Sequence, residues 1–311
     1  MLNDSIYATF VKKKAKMKSG IALYIMLLPA IILLIVFSYL PMYGIIIAFQ
    51  KFNPAIGLFG KQVFTGLQNF KVIFSNPYAI RAFKNTVIIA FFKIFTNLTV
   101  PLLFSLLLNE IRSTSFKRTI QTTIYLPHFI SWVILGQIFV ELLAVENGMI
   151  NIFLKNIGLE QISFLGSNKW FRWTIIGTHV WKEFGFGTIM YLAAITNIDP
   201  KLYEAADVDG AGRFLKMCYI TIPGMSMVII LRMVLSLSSV LNAGFDQIFN
   251  LYNPSVYEVG DVLDTYIYRL GLISFQYGQS TAVGLFKSVV ALIFTSISYI
   301  FAYKLYDYKV F

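Results

Sequence analysis

The sequence has few charged residues, one cysteine and very few histidines. Charged side chains make up 13% of the 311 residues, against roughly 25% in soluble proteins. Cys218 has no second cysteine to pair with, which excludes an internal disulfide, and only His128 and His179 could join it around a metal ion. We therefore expect no disulfide framework, no metal site and no metalloenzyme.

Hydrophobic residues, by contrast, make up 57% of the chain and are gathered in long runs. Runs of about 20 apolar residues can cross a bilayer as helices, which satisfy their own backbone hydrogen bonds in lipid. The sequence therefore predicts an all-α membrane protein. The net charge of +11 would suggest nucleic acid as the partner of a soluble protein. Here we expect no nucleic acid, because basic loops facing anionic membrane lipid explain the charge.

Six segments are long and apolar enough to be transmembrane helices: 21–40, 86–108, 120–143, 171–194, 225–243 and 281–303. Five lysines between Lys12 and Lys18 precede the first segment, which is too long for the core of a cleavable signal peptide. Because basic residues stay on the cytoplasmic side, we expect both termini in the cytoplasm. The chain then divides into a basic cytoplasmic tail, 1–20, and one multi-pass domain, 21–311.

The loop between the fourth and fifth segments, residues 197–225, contains an acidic stretch that is unusual in this chain. Asp199 followed by Pro200 predicts a helix start, since the carboxylate caps free amides and proline fits the first turn. Gly210 predicts the end of that helix. A second helical stretch is expected over 211–219. The loop is thus predicted to form two short helices on the cytoplasmic surface.

The residues of the 197–225 loop alone leave three interpretations open. Asp207 and Asp209 before Gly210 fit part of a calcium-binding loop, although its third ligand and distal glutamate are missing. The same aspartates could bind Mg²⁺ and a diphosphate in a membrane transferase, but the other cytoplasmic loop, 109–119, offers only Glu110 as a second acidic residue. The loop could also be a solvated connector without a partner.

The spacing within the loop resembles the EAA motif of binding-protein-dependent ABC importer permeases, EAA-x3-G-x9-I-x-L-P. Glu204-Ala205-Ala206 is followed after three residues by Gly210, and after nine more by Ile220, Thr221, Ile222 and Pro223. The one departure is isoleucine at 222 in place of leucine. Three longer stretches resemble the maltose-permease-type sugar permeases, especially those for oligosaccharides and polysaccharide fragments: 125–139, 198–212 and 252–271.

This resemblance implies a permease subunit of a bacterial cell membrane, with no catalytic residue of its own. It implies a heterodimer with a second permease, two copies of an ABC ATPase that bind ATP and Mg²⁺, and an extracytoplasmic binding protein that delivers a carbohydrate. The chain has no G-x4-G-K-[ST] phosphate loop, so we expect no cofactor on it. The loop would be the coupling helix that docks on the ATPase, through Glu204, Ala205, Ala206, Asp209, Gly210 and Arg213.

Polar and aromatic residues on or near the membrane segments are candidates for contact with a sugar, because polar groups are costly in lipid. The candidates are Gln137, Glu141, Trp181, Lys182, Glu183, Tyr191, Asn242, Asp246 and Gln247. Lys182 and Glu183 could instead pair only to stabilise the helix bundle. Structural pairing or snorkelling is also expected for Lys93, Arg232 and Lys287.

We therefore interpret the chain as the permease subunit of an ATP-driven importer for a carbohydrate, with an oligosaccharide as the expected substrate. One alternative is an importer of the same class for glycerol phosphate or a peptide. Another is a stand-alone secondary transporter or channel, which would need neither an ATPase nor the EAA spacing. The third is the membrane transferase that would use Asp207 and Asp209.

Overall fold

The computed structural model describes residues 23–306, so the predicted basic tail and both termini lie outside the described residues. The described chain is mostly helical. In chain order the helices are α1 (Leu23–Phe49), α2 (Gln68–Ser75), α3 (Pro77–Asn109), α4 (Thr114–Tyr125), α5 (Trp132–Leu142), α6 (Met149–Asn156), α7 (Phe171–Thr196), α8 (Pro200–Val208), α9 (Arg213–Gly224), α10 (Ser226–Ser238), α11 (Phe245–Leu251), α12 (Tyr257–Gly260), α13 (Leu263–Tyr268) and α14 (Tyr277–Tyr306).

The first helix is longer than the predicted segment 21–40. It continues past Pro41 and ends at Phe49, because the hydrogen-bond pattern of the helix changes before the proline. A π-helical turn covers Ile35–Tyr39, and 3₁₀ geometry follows from Leu40. These changes of hydrogen-bond register accommodate a proline that has no N–H to donate. None of the most apolar stretch of α1 is buried within this chain.

The third predicted segment, 120–143, does not form one straight helix in the structure. A 3₁₀ turn follows α4, and the helix axis then bends by 102° before α5. Ile130 and Ser131 have extended backbone conformations, and the Ser131 hydroxyl accepts a hydrogen bond from the Ile134 amide. Ser131 therefore acts as the N-cap of a new helix, a role that serine often has.

The fifth predicted segment, 225–243, also differs from the structure. Helix α10 ends at Ser238, and the helical path on its other side begins much earlier, at Arg213. The two pieces, α9 and α10, meet at Met225 with a bend of 58°. The second predicted segment, 86–108, lies within α3, which starts at Pro77 behind an Asn76 cap.

Helices α3 and α7 are the central pair of the fold, and they carry buried side chains along their length. Toward the 197–225 loop, Leu106 and Tyr191 belong to one apolar cluster. At the other end, Ile89 and Ile175 pack with α5 and α11 in a second cluster. Gly185 of α7 lies so close to α4 that a Cβ atom added there would be 1.9 Å from the carbonyl oxygen of Ile124. Close helix approach through small residues is common in membranes.

Three described helices are apolar and long enough to cross a membrane: Leu23–Phe49, Pro77–Asn109 and Tyr277–Ile300. The two bent pairs would raise this number to five if each pair is one span. Helix α7 is long enough but carries Lys182 and Glu183 near its middle, and it does not reach the same hydropathy. The described residues thus form a multi-pass membrane protein.

The end of the bundle opposite the 197–225 loop carries short elements. A two-stranded antiparallel sheet, which the all-α prediction did not include, pairs β1 (Gln50–Lys51) with β2 (Val63–Phe64). Asn69 of the short helix α2 donates to the carbonyl oxygens of Ala48 and Gln50, which holds α2 against the start of the sheet. Apolar contacts tie α1, α3, α13 and α14 together at this end through Ala48, Ala82, Leu263 and Ala282.

Candidate functional site

The first helix of the 197–225 loop begins as its sequence predicts. The Asp199 carboxylate accepts a hydrogen bond of 3.0 Å from the Lys201 amide, and Pro200 occupies the first turn. This arrangement satisfies one of the amides that a helix start leaves free. Helix α8 then runs to Val208 with no buried residue. The predicted start of the loop helix is confirmed.

Gly210 ends α8 in a Schellman motif. Its φ is +74°, its amide donates to the Asp207 carbonyl oxygen at 3.1 Å, and the Ala211 amide donates to the Ala206 carbonyl oxygen at 2.8 Å. These two bonds satisfy carbonyl groups that the helix end would otherwise leave free. The left-handed backbone favours glycine, because a side chain there is strained. The predicted role of Gly210 as helix terminator is confirmed.

Three side-chain contacts hold α8 and α9 against neighbouring elements. The hydroxyls of Tyr203 and Thr221 are 2.9 Å apart, which ties α8 to the π-helical turn within α9. Lys216 forms an ion pair with Asp207. Arg213 lies 3.7 Å from Glu110 at the end of α3. The second helix of the loop therefore starts at Arg213 rather than at the predicted 211, and it continues beyond 219.

The surface of α8 that remains open combines small, acidic and apolar groups. Glu204 and Ala205 are exposed, Ala206 is half-buried, and Val208 is 88% exposed. Phe214 is exposed nearby on α9. Exposed apolar side chains beside small residues are typical of a contact surface for another protein. The predicted coupling residues Asp209, Gly210 and Arg213 are exposed on the same loop.

A polar cavity of about 210 Å³ lies between α3, α7, α10 and the turn that follows α10. Its polar lining residues are Lys93, Asn97, His179, Ser236, Ser239 and Asn242. Gly244 completes the wall with φ of +88°, and a Cβ atom added there would be 3.1 Å from the Lys93 Nζ. Glycine at this position therefore leaves room for the Lys93 ammonium group.

Lys93 and Gln247 form the buried hydrogen-bond network beside this cavity. Lys93 is 5% exposed, and its Nζ donates to the Ala243 carbonyl oxygen at 2.6 Å and to the Gln247 amide oxygen. The Gln247 amide nitrogen donates to the Ile175 carbonyl oxygen at 2.7 Å and to Thr178 at 2.8 Å. Polar groups from α3, α7 and α11 are thus satisfied inside the bundle, as buried polar groups require.

Lys182 and Glu183 hold the break between α4 and α5. The Lys182 Nζ donates to the His128 carbonyl oxygen at 2.6 Å and lies 3.3 Å from Glu183 Oε1. Glu183 Oε2 is 2.8 Å from His128 Nδ1, and the His128 ring stacks on Phe186 at 3.9 Å. The three polar side chains therefore satisfy one another at the bend. This geometry agrees with structural pairing as the alternative to sugar contact for Lys182 and Glu183.

Arg232 is the third buried cation of the bundle. Its guanidinium donates to the carbonyl oxygens of Gly187 at 2.6 Å and Asn97 at 3.3 Å, and its carbon lies 4.8 Å from the centre of the Tyr191 ring. Tyr191 is fully buried, with its hydroxyl 3.3 Å from the Leu98 carbonyl oxygen. Together with the ion pair between Lys287 and Asp264, these contacts agree with the structural pairing expected for Arg232 and Lys287.

The structure brings some of the predicted sugar contacts together and separates others. Asn242 lines the polar cavity, and Gln247 lies behind it. Trp181 instead faces a different, apolar cavity of about 590 Å³ on α5 and α7, where it meets Phe139 edge to face. The remaining exposed candidates, which lie outside both cavities, are Gln137, Glu141 and Asp246.

Five polar residues of the cavity are absent from the candidates for sugar contact that the sequence suggests: Lys93, Asn97, His179, Ser236 and Ser239. The sequence offers His179 only as a metal ligand. Single serines and asparagines are common in membrane helices, so their type gives little signal. Ser236, Ser239 and Asn242 do recur at intervals of three, the spacing of one helix face, although only Ser236 lies within α10, which ends at Ser238.

An arginine clasp holds the short helices at the end opposite the loop. Arg269 donates to both carboxylate oxygens of Asp261, at 2.7 and 2.6 Å, and lies 4.5 Å from the centre of the Tyr257 ring. The hydrogen bonds with Asp261 raise the pKa of Arg269. Burial raises the pKa of nearby Tyr252 to about 12, so its phenol stays neutral. The segment is therefore a preformed element rather than a loose loop.

Comparison with known proteins places this geometry in a family. Residues 97–308, more than half of the chain, match the binding-protein-dependent transport system inner membrane component. The chain belongs to this family. Its members are permease subunits of ABC transporters and are generally not catalytic. Among residues 23–306, no cluster of three or more His, Cys, Asp or Glu side chains could hold a metal ion.

Two curated relatives from Bacillus subtilis (strain 168) are similar over most of their length. The protein LplB is 43% identical over 279 residues, which cover 90% of this chain and 87% of LplB. The polygalacturonan/rhamnogalacturonan transport system permease protein YteP is 44% identical over 271 residues, which cover 87% of this chain and 84% of YteP.

A solved structure is similar over nearly the whole chain. It is a chain of a bacterial ABC transporter involved in the import of the acidic polysaccharide alginate, with 38% identity and a TM-score of 0.87. The match covers 95% of this chain and 99% of the other. A bacterial alginate ABC transporter was also solved in complex with an alginate pentasaccharide-bound periplasmic protein. The sequence resemblance to importer permeases is confirmed.

Proposed function

We propose that this chain is the permease subunit of an ATP-driven importer for a carbohydrate, with an oligosaccharide as its substrate. The observation that carries this proposal is similarity over nearly the whole chain to a chain of an alginate importer, at 38% identity. The similarity to YteP supports the same substrate class. A permease subunit needs partners to move its substrate, so the remaining parts of the proposal concern topology, coupling and the substrate path.

The topology that we propose has six spans within the domain 21–311, preceded by the cytoplasmic tail 1–20. Helices α1, α3, α7 and α14 are four of the spans, and the bent pairs α4–α5 and α9–α10 are the other two. Counting α7 as a span is reasonable because its charged residues are paired within the bundle. With lysines in the tail, both termini face the cytoplasm of a bacterial cell.

The 197–225 loop is the coupling element in this proposal. Helix α8 docks in a cleft of an ABC ATPase through Glu204, Ala205, Ala206 and Gly210, while Asp209 and Arg213 border the contact. The exposure of α8 and its fixed N- and C-terminal caps support this role. Two ATPase copies bind ATP and Mg²⁺ and supply the hydrolysis. Closing of the ATPases then moves the spans between inward-open and outward-open states.

The substrate path lies between this chain and a second permease of a heterodimer. On this side the polar cavity with Asn242 is the best-supported part of the path, because it gathers hydrogen-bonding side chains inside an apolar bundle. An extracytoplasmic binding protein delivers the sugar to the end that carries α11 to α13. The alginate transporter bound to its periplasmic protein supports the existence of such a partner.

The first experiment is purification of the complete importer with its binding protein, followed by a screen of oligosaccharides for stimulation of ATP hydrolysis. We expect the ATPase and a second permease to co-purify and at least one saccharide to stimulate hydrolysis. Stimulation by glycerol phosphate or a peptide alone would point to a different solute. Transport by this chain without an ATPase would make it a stand-alone transporter and end the proposal.

The second experiment tests the loop with Glu204→Lys and Gly210→Pro. Proline cannot adopt the φ of +74° at position 210, so the end of α8 must change. Reversal of charge at Glu204 alters the exposed face. We expect loss of ATPase co-purification for Gly210→Pro, and ATP hydrolysis uncoupled from transport for Glu204→Lys. Pull-down and transport assays on the same preparations give both results.

Matched controls for these two variants lie in the segment 157–160. Gly158 has φ of +81° and, like Gly210, no atom within 4 Å of a potential Cβ. Glu160 is exposed like Glu204. Gly158→Pro and Glu160→Lys should leave ATPase docking intact. If the ATPase co-purifies fully with both loop variants, the coupling assignment is wrong.

A further inference from the structure

Two buried cations beside the polar cavity have only neutral partners. Lys93, which lines the cavity, donates to the Ala243 carbonyl oxygen and the Gln247 amide oxygen. Arg232 is 9% exposed and donates to the carbonyl oxygens of Gly187 and Asn97. Lys93 lines the cavity itself, whereas Arg232 lies behind it and contacts only the backbone of Asn97, a lining residue. Carbonyl dipoles satisfy the N–H groups but do not neutralise the charge.

Three other cations of the described chain that are at least partly buried have a carboxylate partner. Lys182 pairs with Glu183, Arg269 with Asp261, and Lys287 with Asp264. Arg172, half-buried at the end opposite the loop, also has neutral hydrogen-bond partners, the Asn85 amide oxygen and the Val259 carbonyl oxygen. Lys93 differs from these cations because it combines burial and neutral partners with a position in the cavity wall. A buried charge without a counter-charge is costly in a membrane protein, and such residues often mark a substrate or ion path.

Glu183 is a carboxylate of α7 within the bundle, but it is not among the residues that line the cavity. Its two oxygens are already engaged, one by Lys182 at 3.3 Å and the other by His128 at 2.8 Å. His179 lines the cavity together with Lys93. The described lining of the cavity includes no aspartate or glutamate. The cavity thus has a positive wall without its own anion.

We infer that the imported saccharide is anionic and that Lys93 binds its carboxylate in this cavity, as in an oligosaccharide of uronic acids. A carboxylate would accept a charge-assisted hydrogen bond from the Lys93 Nζ, and such bonds are about twice as strong as neutral ones. Asn97, Ser239 and Asn242 offer hydrogen bonds to the sugar hydroxyls. Arg232 acts from behind Asn97 by its charge. This inference rests on the proposed function and narrows its substrate class.

The test compares two probes with the same sugar chain, the anionic trigalacturonate and its fully methyl-esterified, neutral form. The complete importer is placed in proteoliposomes, and the binding protein is saturated with each probe after its Kd has been measured separately. Uptake and ATP hydrolysis then report selection by the permease. We expect the wild-type importer to transport trigalacturonate and to transport the ester at least about tenfold less efficiently, the effect of one charged hydrogen bond.

Lys93→Gln should lower trigalacturonate uptake about tenfold and change uptake of the ester little. The variant importer should therefore no longer prefer the acid to the ester. Lys93→Arg, which keeps the charge, should retain the preference. Lys155→Gln removes a charge from an exposed position outside the cavity and is the matched control. If Lys93→Gln does not assemble, Ser239→Asp takes its place, because an added carboxylate in the cavity wall should repel only the acidic probe.

The possible outcomes separate this inference from the proposed function. Transport of neutral saccharides with no preference for the acid would overturn the inference and leave the permease function intact. An equal loss of both probes in Lys93→Gln, with no selective effect of Ser239→Asp, would make Lys93 a purely structural residue. An assembled importer that no saccharide stimulates would overturn both proposals together.

Discussion

The 197–225 loop and the middle of α7 both place charged residues in an apolar chain, but the structure treats them in opposite ways. In the loop, Glu204 and Asp209 are exposed, and Asp207 meets only Lys216. In α7, Lys182 is 6% exposed and Glu183 is engaged by two partners. A charge in water needs no partner, whereas a charge in the bundle must find one. The same residue types therefore have different structural meanings in the two regions.

The two regions also differ at the glycines that follow their charged residues. Gly210 and Gly212 in the loop have no atom within 4 Å of a potential Cβ, whereas Gly185 and Gly187 in α7 face Ile124 at 1.9 Å and Pro101 at 2.9 Å. The loop is open because its partner is expected to be another protein. Helix α7 is tightly packed because its partners are within the chain. Three predictions test this contrast, beginning with the largest effect.

Gly185→Ala should destabilise the protein more than any other single change proposed for α7. The added Cβ would lie 1.9 Å from the Ile124 carbonyl oxygen, and a helix backbone cannot yield as a side chain would. We expect a cost of about 3 kcal/mol, at the upper end of typical overpacking penalties. Thermal unfolding of the purified importer in detergent measures the effect.

Gly177→Ala in the same helix and Gly212→Ala in the loop are the controls, because neither added Cβ meets another atom within 4 Å. Both should be close to wild type in thermal stability. If Gly185→Ala is as stable as these two, α4 and α7 are not in close contact in the assembled importer, and the contrast between the regions is lost.

Glu183→Gln should have the second largest effect. It removes the negative charge that faces Lys182 and His128 and leaves the Lys182 ammonium group with the His128 carbonyl oxygen. Loss of hydrogen bonds to a charged group costs about 1.5–3 kcal/mol. Thermal unfolding should show this loss.

The double variant Lys182→Met with Glu183→Gln sharpens the test of the α7 charges. If the two side chains stabilise the bundle mainly through each other, the double variant should lose less stability than the sum of the single variants. If the stability losses of the two single variants add up to that of the double variant, each charge acts alone. The charges of α7 would then be independent of each other, like the exposed charges of the loop.

The combined change Asp207→Asn and Asp209→Asn should have the smallest effect. It removes one surface ion pair, between Asp207 and Lys216, and ion pairs in water contribute about 0–1 kcal/mol. We expect transport and ATPase co-purification within about twofold of wild type, since about 0.4 kcal/mol corresponds to that factor. Loss of all activity would instead support the transferase interpretation of the two aspartates.

Local features of the chain were predictable because they depend on neighbouring residues. The cap at Asp199 and the left-handed turn at Gly210 follow from side-chain and backbone preferences within a few positions. Long apolar runs also located α1, α3 and α14, although their ends differ from the predicted bounds. Helix α1, for example, continues through Pro41 to Phe49, beyond the predicted end at residue 40.

The bend between α4 and α5 was harder to predict. Hydropathy averages over about 20 residues, so it does not register two extended residues such as Ile130 and Ser131. The bend depends on contacts from a distant helix, because Lys182 and Glu183 of α7 hold His128 in place. A pattern within one segment contains no information about such a partner.

The sequence alone determined that the chain is helical, embedded in a membrane and equipped with a capped surface helix, because hydropathy and capping act over short stretches. It also indicated the permease family through the spacing after Glu204. Only the tertiary structure decided which polar residues share a cavity. Lys93, His179 and Asn242 are far apart in the chain, and they meet because α3, α7 and α10 pack side by side. Packing determines that proximity, and it also determines which charges have a counter-charge and which do not.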